Sequence, residues 1–550
     1  MQAKNIIVIL WHKSIAMRGF TLAFIIFLAC LTGCAKRGVI DGGPKDTLAP
    51  VLKMSFPKNF STGFNSKEIE LVFDEYVKLK NVNKQLIISP PMEKAPEIFP
   101  MTASRKITIK IKDSLMPNTT YSFNFGQAIE DNNEANPYPQ FKYVFSTGSY
   151  IDSLKLGGVI KDAYNKNPDN FVSVMLYEAE TFTDSTIYNK PPRYVTNTLD
   201  SAKVFLLENL KAGNYYLIAL KDNNSNNRFD PKTDKIGFHR ERISVPNDTL
   251  YEMELFAEDL PFKAFKPSQT EGNKMILGYE GHTGDVKVKL VNGDLEIPTM
   301  LTKFPQKDSL YVWHQPVVAD SLRLSVSRGE YNEAFTVKLK KQKGDTLSFS
   351  PKQTGSLSLR DTLALKSSRP LVGFDPAKIT VTKRDSSAVT FTTAYDERNM
   401  FYQLIFPVEP LEKYKMVAMP GALTDFYGAV NDTLKYSFTT KNTSDYGNLR
   451  VTLENLNRLP VIVQLTDEKG KIKAVDYIGY DTTIGGPVSV DFMGLDPMLY
   501  TLRIIYDDNR NRRWDTGSYL QKRQSEQVIY FPKGIDVRAN WDVDQPFSVP

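Results

Sequence analysis

Cysteine is almost missing from this chain of 550 residues: there are two, Cys30 and Cys34, and both lie before residue 35. No disulfide can staple anything downstream, so each folded unit must stand on packing or on bound ions. Histidine is scarce as well. Beyond His12 there are only His239, His282 and His314, all isolated, and there is no H-E-x-x-H, G-x-S-x-G or P-loop pattern. Little is left for a nucleophile with its base or for an open catalytic metal site; a pair of distant carboxylates is the one catalytic arrangement still open. Charge of one sign is lacking too. Taking away the first 33 residues removes Lys4, Lys13 and Arg18 from 69 basic residues and none of the 63 acidic ones, so the net charge falls from +6 to about +3. A nucleic-acid partner has no electrostatic support at that value.

What is present begins with an export signal. The three basic residues lead into the apolar run "FTLAFIIFLACLTG", which is too short to span a bilayer comfortably and ends in small residues. Met1 and Met17 are both possible starts, the second giving the more typical signal. The tetrapeptide "LTGC", Leu31 to Cys34, resembles the bacterial lipobox, which implies cleavage before Cys34 and acylation, including palmitate, on that residue. The next stretch, "AKRGVIDGGPKDTLAP", lacks periodicity and reads as a tether.

After the tether, short apolar or alternating runs follow one another without a helical period: "IELVF", "KQLIIS", "KITIKIK", "YSFNF", "KYVFST". The expected fold class is all-β, as tandem sandwiches. Laying the two ends of the chain over each other shows a duplication. Tyr121 matches Tyr414 and "YVFST" matches "YSFTT" at an offset of 293, with "IELVF" over "TLALK" upstream. Leu210, Tyr215, Leu217, Asp222 and Asp230 match Leu495, Tyr500, Leu502, Asp507 and Asp515 at 285, an offset expected to run on without a gap to "DLPF" and "DQPF". The organisation is a signal at 1–33, a tether at 34–45, then modules A1 (46–150), B1 (151–262), C (263–349), A2 (350–445) and B2 (446–550).

"DTLAPVLKMSFPKNFSTGF", "IELVFDEYVK", "LMPNTTYSFNFGQAIEDNNEA" and "FKYVFSTG" make A1 resemble the bacterial Ig-like domains of the S-layer-protein type. A2 keeps the closing part of that pattern and is expected to lack the opening Pro-rich strand. The B modules look like prealbumin-like sandwiches. As a whole the chain resembles the Ig-like-domain lipoproteins of Bacteroidota-type outer membranes. That resemblance implies a non-enzymatic scaffold, a rod or spacer presenting surfaces to envelope proteins or glycans; a surface adhesin is the alternative and a carbohydrate-active enzyme a distant third. No acidic stretch follows Cys34, which favours the periplasmic face of the outer membrane over the cell surface.

Two recurrences bear on chemistry. Asp followed by Ser or Thr and a small or apolar residue occurs at Thr47, Ser114, Ser153, Ser185, Ser201, Thr249, Ser309, Ser321, Thr346, Thr362, Thr433 and Thr482, where typical composition gives roughly two. An Asp turn running into a strand writes the same triplet. It also resembles the O-glycosylation sequon of Bacteroidota-type envelope proteins, which implies that a subset carries glycan. The second recurrence is "KDNNSNNRFD" and "YDDNRNRRWD". Asp222, Asn224, Asn226 and Asp230, and again Asp507, Asn509, Asn511 and Asp515, fall at positions one, three, five and nine of a calcium loop, while position six lacks Gly and position twelve, Thr233 or Ser518, lacks Glu. An Asx-rich turn bonded to its own backbone competes with calcium; no cofactor is otherwise required. Trp313 and His314 could line a carbohydrate platform or pack in the core of C.

Overall fold

Residues 45–198, 203–305, 307–482 and 485–550 are described by a computed structural model; the signal, Cys34, nearly all of the tether and Ser201 lie outside them. The described chain is almost entirely β, and it is built as stacked pairs of sheets. In A1 the long strand Glu68–Leu79 sits between Leu52–Phe56 and Ser104–Lys110, and faces a second sheet of Ile87–Ser89, Thr120–Asn124 and Lys142–Ser146. Its alternation is the reason: Ile69, Leu71 and Phe73 point inward while Glu68, Glu70 and Val72 point out. The inward set meets Tyr121, Phe123 and Phe145.

C repeats the two-layer plan without a duplicate, its core holding Met275, Leu277, Val312, Leu322 and Leu324. A2 corrects the sequence reading in two respects. Its opening strand is present as Phe349–Pro351 on Leu363–Ser367, too short to leave a pattern. Its inward residues there are Leu363 and Leu365, so Ile69 corresponds to Leu363 rather than Thr362; with a side-chain period of two, a slip of one residue would expose the core face.

The duplication is fixed by details that an overlay of letters does not contain. The Tyr121 hydroxyl accepts the N–H of Met116 at 2.9 Å, and that of Tyr414 the N–H of Glu409 at 2.8 Å. Tyr215 donates to the carbonyl of Lys211 at 2.9 Å, and Tyr500 to that of Asp496 at 2.8 Å. In both B modules the last strand returns parallel to the first, Leu250–Leu255 along Leu154–Asp162 and Asp542–Ser548 along Gly447–Glu454.

The gapless offset of 285 does not survive. Ile218 pairs with Phe238 and Arg503 pairs with Tyr530; Leu220 pairs with Ile236 and Ile505 with Val528. The central strands match at 285 and their partners at 292, so B2 carries seven more residues between its Asx-rich loop and the next strand. The last strands match at 294, since Gly158 pairs with Tyr251 and Val451 with Gln545; "DLPF" lies past the last strand of B1 and "DQPF" inside that of B2, so their likeness at 285 is chance.

Those extra residues make a contact that a rod would lack. Tyr519, 1% exposed, joins a core of B1 with Tyr177, Ile187, Phe229, Phe238 and Phe256. The Thr516 hydroxyl donates to the carbonyl of Ala257 at 2.5 Å, the Gln524 amide to that of Phe238 at 2.9 Å, the Tyr519 N–H to Glu258, and Lys522 pairs with Asp184 at 2.6 Å. Gly517 permits the approach, since a Cβ there would lie 2.4–2.7 Å from ring atoms of Phe256. Beside this segment Arg503, 1% exposed, donates to the Tyr164 carbonyl (3.2 Å), the Tyr164 hydroxyl (2.6 Å), the Tyr530 hydroxyl (2.9 Å) and Gln464 (2.9 Å), with its guanidinium 4.1 Å from the Tyr164 ring. Neighbours in sequence also touch: Lys232 with Glu280, the Gln315 amide with the Phe426 carbonyl, the Arg360 guanidinium with the Met493 carbonyl. B1, C, A2 and B2 therefore close into a circuit, and A1 is appended to B1 through the Val195 N–H on Ser89 and the Lys142–Glu208 pair.

Candidate functional site

The two Asx-rich loops follow the central B strands Gly213–Lys221 and Met498–Tyr506. Each is built around its first Asp. Asp222 accepts the N–H groups of Asn224 and Asn227 at 3.1 and 2.7 Å; Asp507 accepts those of Asn511 and Arg512 at 3.0 and 2.9 Å. Asn226 and Asn511 each accept the N–H two residues on, both at 2.8 Å. Positions four and six are left-handed in both, with φ of 55° at Ser225 and Asn227, 65° at Arg510 and 62° at Arg512. Arg at position six is thus accommodated despite its preference, its backbone held by Asp507 and its guanidinium laid on Tyr477 at 4.6 Å.

The ninth residues show where the copies differ. The N–H of Asp230 goes to Asp234, and that of Asp515 to Glu526, both at 3.0 Å; at the offset of 292 these two acids are equivalent. Sequence reasoning missed both because it looked at position twelve, where Thr233 and Ser518 are no substitute for a carboxylate. Asp234 has both oxygens engaged, taking the Asn223 N–H and the Thr233 hydroxyl on the other one. Glu526 does not: it is 7% exposed, and its Oε1 is buried with no hydrogen-bond partner. Burial pushes its carboxyl above the ordinary range, against the N–H groups of Asp515 and Asn509, which act to lower it, and the charges of Asp515 and Asp507 add to the rise. Asn509 and Asn511 both point their amide N–H groups at Asp515 Oδ2, at 2.7 and 2.5 Å. Among the described residues no three His, Cys, Asp or Glu side chains are grouped so as to hold a metal as they stand.

The other candidates are scattered. Thr47, Ser114, Ser153, Ser185, Thr249, Ser321, Thr346 and Thr433 are exposed, Thr362 and Thr482 half-buried; Ser309 is buried in the strand Ser309–His314 and is withdrawn, since no enzyme could reach it there. Ser153, Thr249, Thr362 and Thr433 directly precede strands, as the turn-to-strand account requires. Trp313 is 3% exposed and bonded to Thr302 at 2.8 Å, so it is a core residue and no platform; Lys274 Nζ lies 4.9 Å from its ring. His314 is buried beside it, which lowers its pKa. Two clefts of about 470 and 320 Å³ flank the Pro91–Met92 turn between A1 and B1. Carboxylates line the larger one, but Asp113 is used by the N–H groups of Glu93 and Ser114, and Glu178 faces Arg193 at 3.3 Å. No helix among the described residues is long and apolar enough to cross a membrane.

Tandem β-sandwiches of this build define the class. Residues 46–147 match the bacterial Ig-like domain family. No curated protein matches the chain. Among solved structures it is similar to an S-layer protein, rSbsC (13% identity, covering 89% of this chain and 67% of that one, TM-score 0.15). It is also similar to SGBP-B of the Bacteroides ovatus mixed-linkage glucan utilization locus, solved with a mixed-linkage heptasaccharide (11%, 70% and 91%, TM-score 0.18). A tandem from titin matches at 11%, over 52% of this chain and all of its own, with a TM-score of 0.12.

Proposed function

We propose that the chain is a non-enzymatic scaffold of the cell envelope, held through lipid on Cys34 at the periplasmic face of the outer membrane and glycosylated on a subset of its exposed Asp-Ser/Thr hydroxyls. The observation that carries this reading is the B1–B2 joint. It uses the seven residues that B2 has beyond B1 to build one body of modules rather than a pocket with convergent chemistry. The bacterial Ig-like domain at 46–147 and the export-type N-terminus support an envelope location. The clefts between A1 and B1 favour a glycan-binding adhesin as the second reading, because they place two concave surfaces at one module junction.

Cross-linking in native membranes followed by purification tests the scaffold directly. Recovery of a defined envelope protein is expected; binding of the purified chain to a glycan array with no cross-linked protein overturns scaffold in favour of adhesin. Replacing Cys34 by Ser removes the acylated thiol, and the chain is then expected in the soluble fraction after carbonate washing, since the acyl chains supply the attachment. Release of the wild-type chain by protease from intact cells would sink the inward-facing assignment.

A further inference from the structure

The loop of B2 and the loop of B1 share their turns and differ in one respect that points to a ligand. Glu526, nine-tenths buried, has its Oε2 on the N–H of Asp515 and leaves Oε1 out of solvent without a partner. An unpaired buried acceptor is costly, and in B1 the equivalent Asp234 avoids the cost by using both oxygens. The unmatched oxygen belongs to a group that touches Asp515, which takes two amide N–H groups on a single oxygen. These donors occupy the side of the Asp515 carboxylate that a cation would occupy. The oxygens of Asn509 and Asn511 accept the N–H groups of Asn511 and Arg513, and each keeps a second lone pair for a cation.

We propose that the B2 loop is a calcium site formed by Asp507, Asn509, Asn511 and Asp515 and completed by Glu526, the acid that an EF-hand-like loop would supply at its twelfth position. The set is all oxygen, mixes carboxylate with amide and sits on a turn-rich loop, which suits calcium rather than zinc or copper. The neighbouring cations do not fill the site: Arg510 and Arg512 lie over Tyr480 and Tyr477, and Arg458 pairs with Asp508, outside the set. The B1 loop, closed by Asp234, takes no ion. Because Thr516 to Gln524 leads from the loop to Glu526 and lies on B1, the ion also steadies the joint. None of this depends on the anchor or on the envelope reading.

The chain from residue 35 onward, carrying every described residue, is the material for the test, with terbium as the probe because Trp514 adjoins Asp515 and can sensitise its emission. One terbium per chain is expected, displaced by calcium with a half-point of about 10⁻⁴–10⁻³ M. Glu526→Gln and, separately, Asp515→Asn should weaken binding at least about tenfold; Asp222→Asn should leave it unchanged. Far-UV circular dichroism in chelator checks that each variant is folded, and two variants guard against one failing. Absence of emission up to 10 mM terbium, on the order of ten times the weakest affinity expected, would leave Glu526 a protonated buried acid and overturn the site. Unchanged binding in both folded B2 variants, or loss in Asp222→Asn, would overturn it equally.

Discussion

Replacing Gly517 by Ala probes the closure of the circuit with a single methyl group. The backbone there is not left-handed, so alanine brings no conformational strain, and the whole effect must come from the contact across the joint. The new Cβ would stand 2.4 Å from Phe256 Cζ, against an ordinary contact of 3.4–4 Å, so the segment or the ring must give by about 1 Å. Phe256 is 2% exposed and packs against Phe238, itself 5.5 Å from the Tyr519 ring, so it has no free side to move to. Overpacking of this kind costs about 1–3 kcal/mol. Global unfolding of a five-module chain is not two-state, so the informative assay is hydrogen exchange at 516–524 and at the Ile236–Phe256 backbone pair. Opening there should rise about 5- to 160-fold, the same energy expressed as an equilibrium. Phe256→Ala alone also opens the joint, yet in the double variant the two effects should fall short of their sum by about 1 kcal/mol or more, because the small ring site accepts the methyl. Unchanged exchange, or strict additivity, would refute the packed joint.

Arg503→Lys keeps the charge and loses the planar fork that reaches Tyr164 twice; exchange at 516–524 should quicken by an amount worth about 2 kcal/mol, and an unaltered rate would assign the hold to the aromatic cluster alone. Tyr414→Phe and Tyr500→Phe should each cost their module about 1 kcal/mol by local exchange, one hydrogen bond apiece; no change would make the repeated tyrosine ties incidental. His314 is kept neutral by burial, so its folded pKa lies below its unfolded value of about 6.5. Below that pH the unfolded chain takes up a proton that the native state does not, and stability is lost as pH falls. Between pH 7 and 5 the wild-type C module should lose about 1 kcal/mol more than His314→Gln; equal slopes would mean the ring protonates in place.

The all-β class and the duplication were legible because strand alternation and repeated letters are local signals: Ile69, Leu71 and Phe73 declare their face without help from the rest of the chain. Phe349–Pro351 was not, because three residues carry no period and are held by partners on Leu363–Ser367. The turn chemistry of the Asx-rich loops could also be read, Asp222 and Asp507 doing what Asp does in turns. The acids that complete those loops could not. Asp234 and Glu526 are brought in by the strand that follows, and the sequence spacing between loop and strand differs between the copies.

That difference in spacing ties the joint and the loop together. In B1 the chain goes straight from Asp230 to Asp234 and on into Lys235–Phe238, so a short acid suffices to close the loop and both of its oxygens are used at home. In B2 seven further residues leave the loop, cross to B1 and come back before Val528. On returning, the chain presents Glu526 where Asp234 stood, one methylene longer, with an oxygen to spare. The same position in B1 and B2 thus finishes a turn in one copy and leaves a buried oxygen without a hydrogen-bond partner in the other, and the segment that brings this oxygen in is the one that docks. Calcium should therefore slow exchange at 516–524 in the wild-type chain and lose that effect in Glu526→Gln. Exchange there that ignores calcium would separate the joint from the loop and leave the insertion as a docking element only.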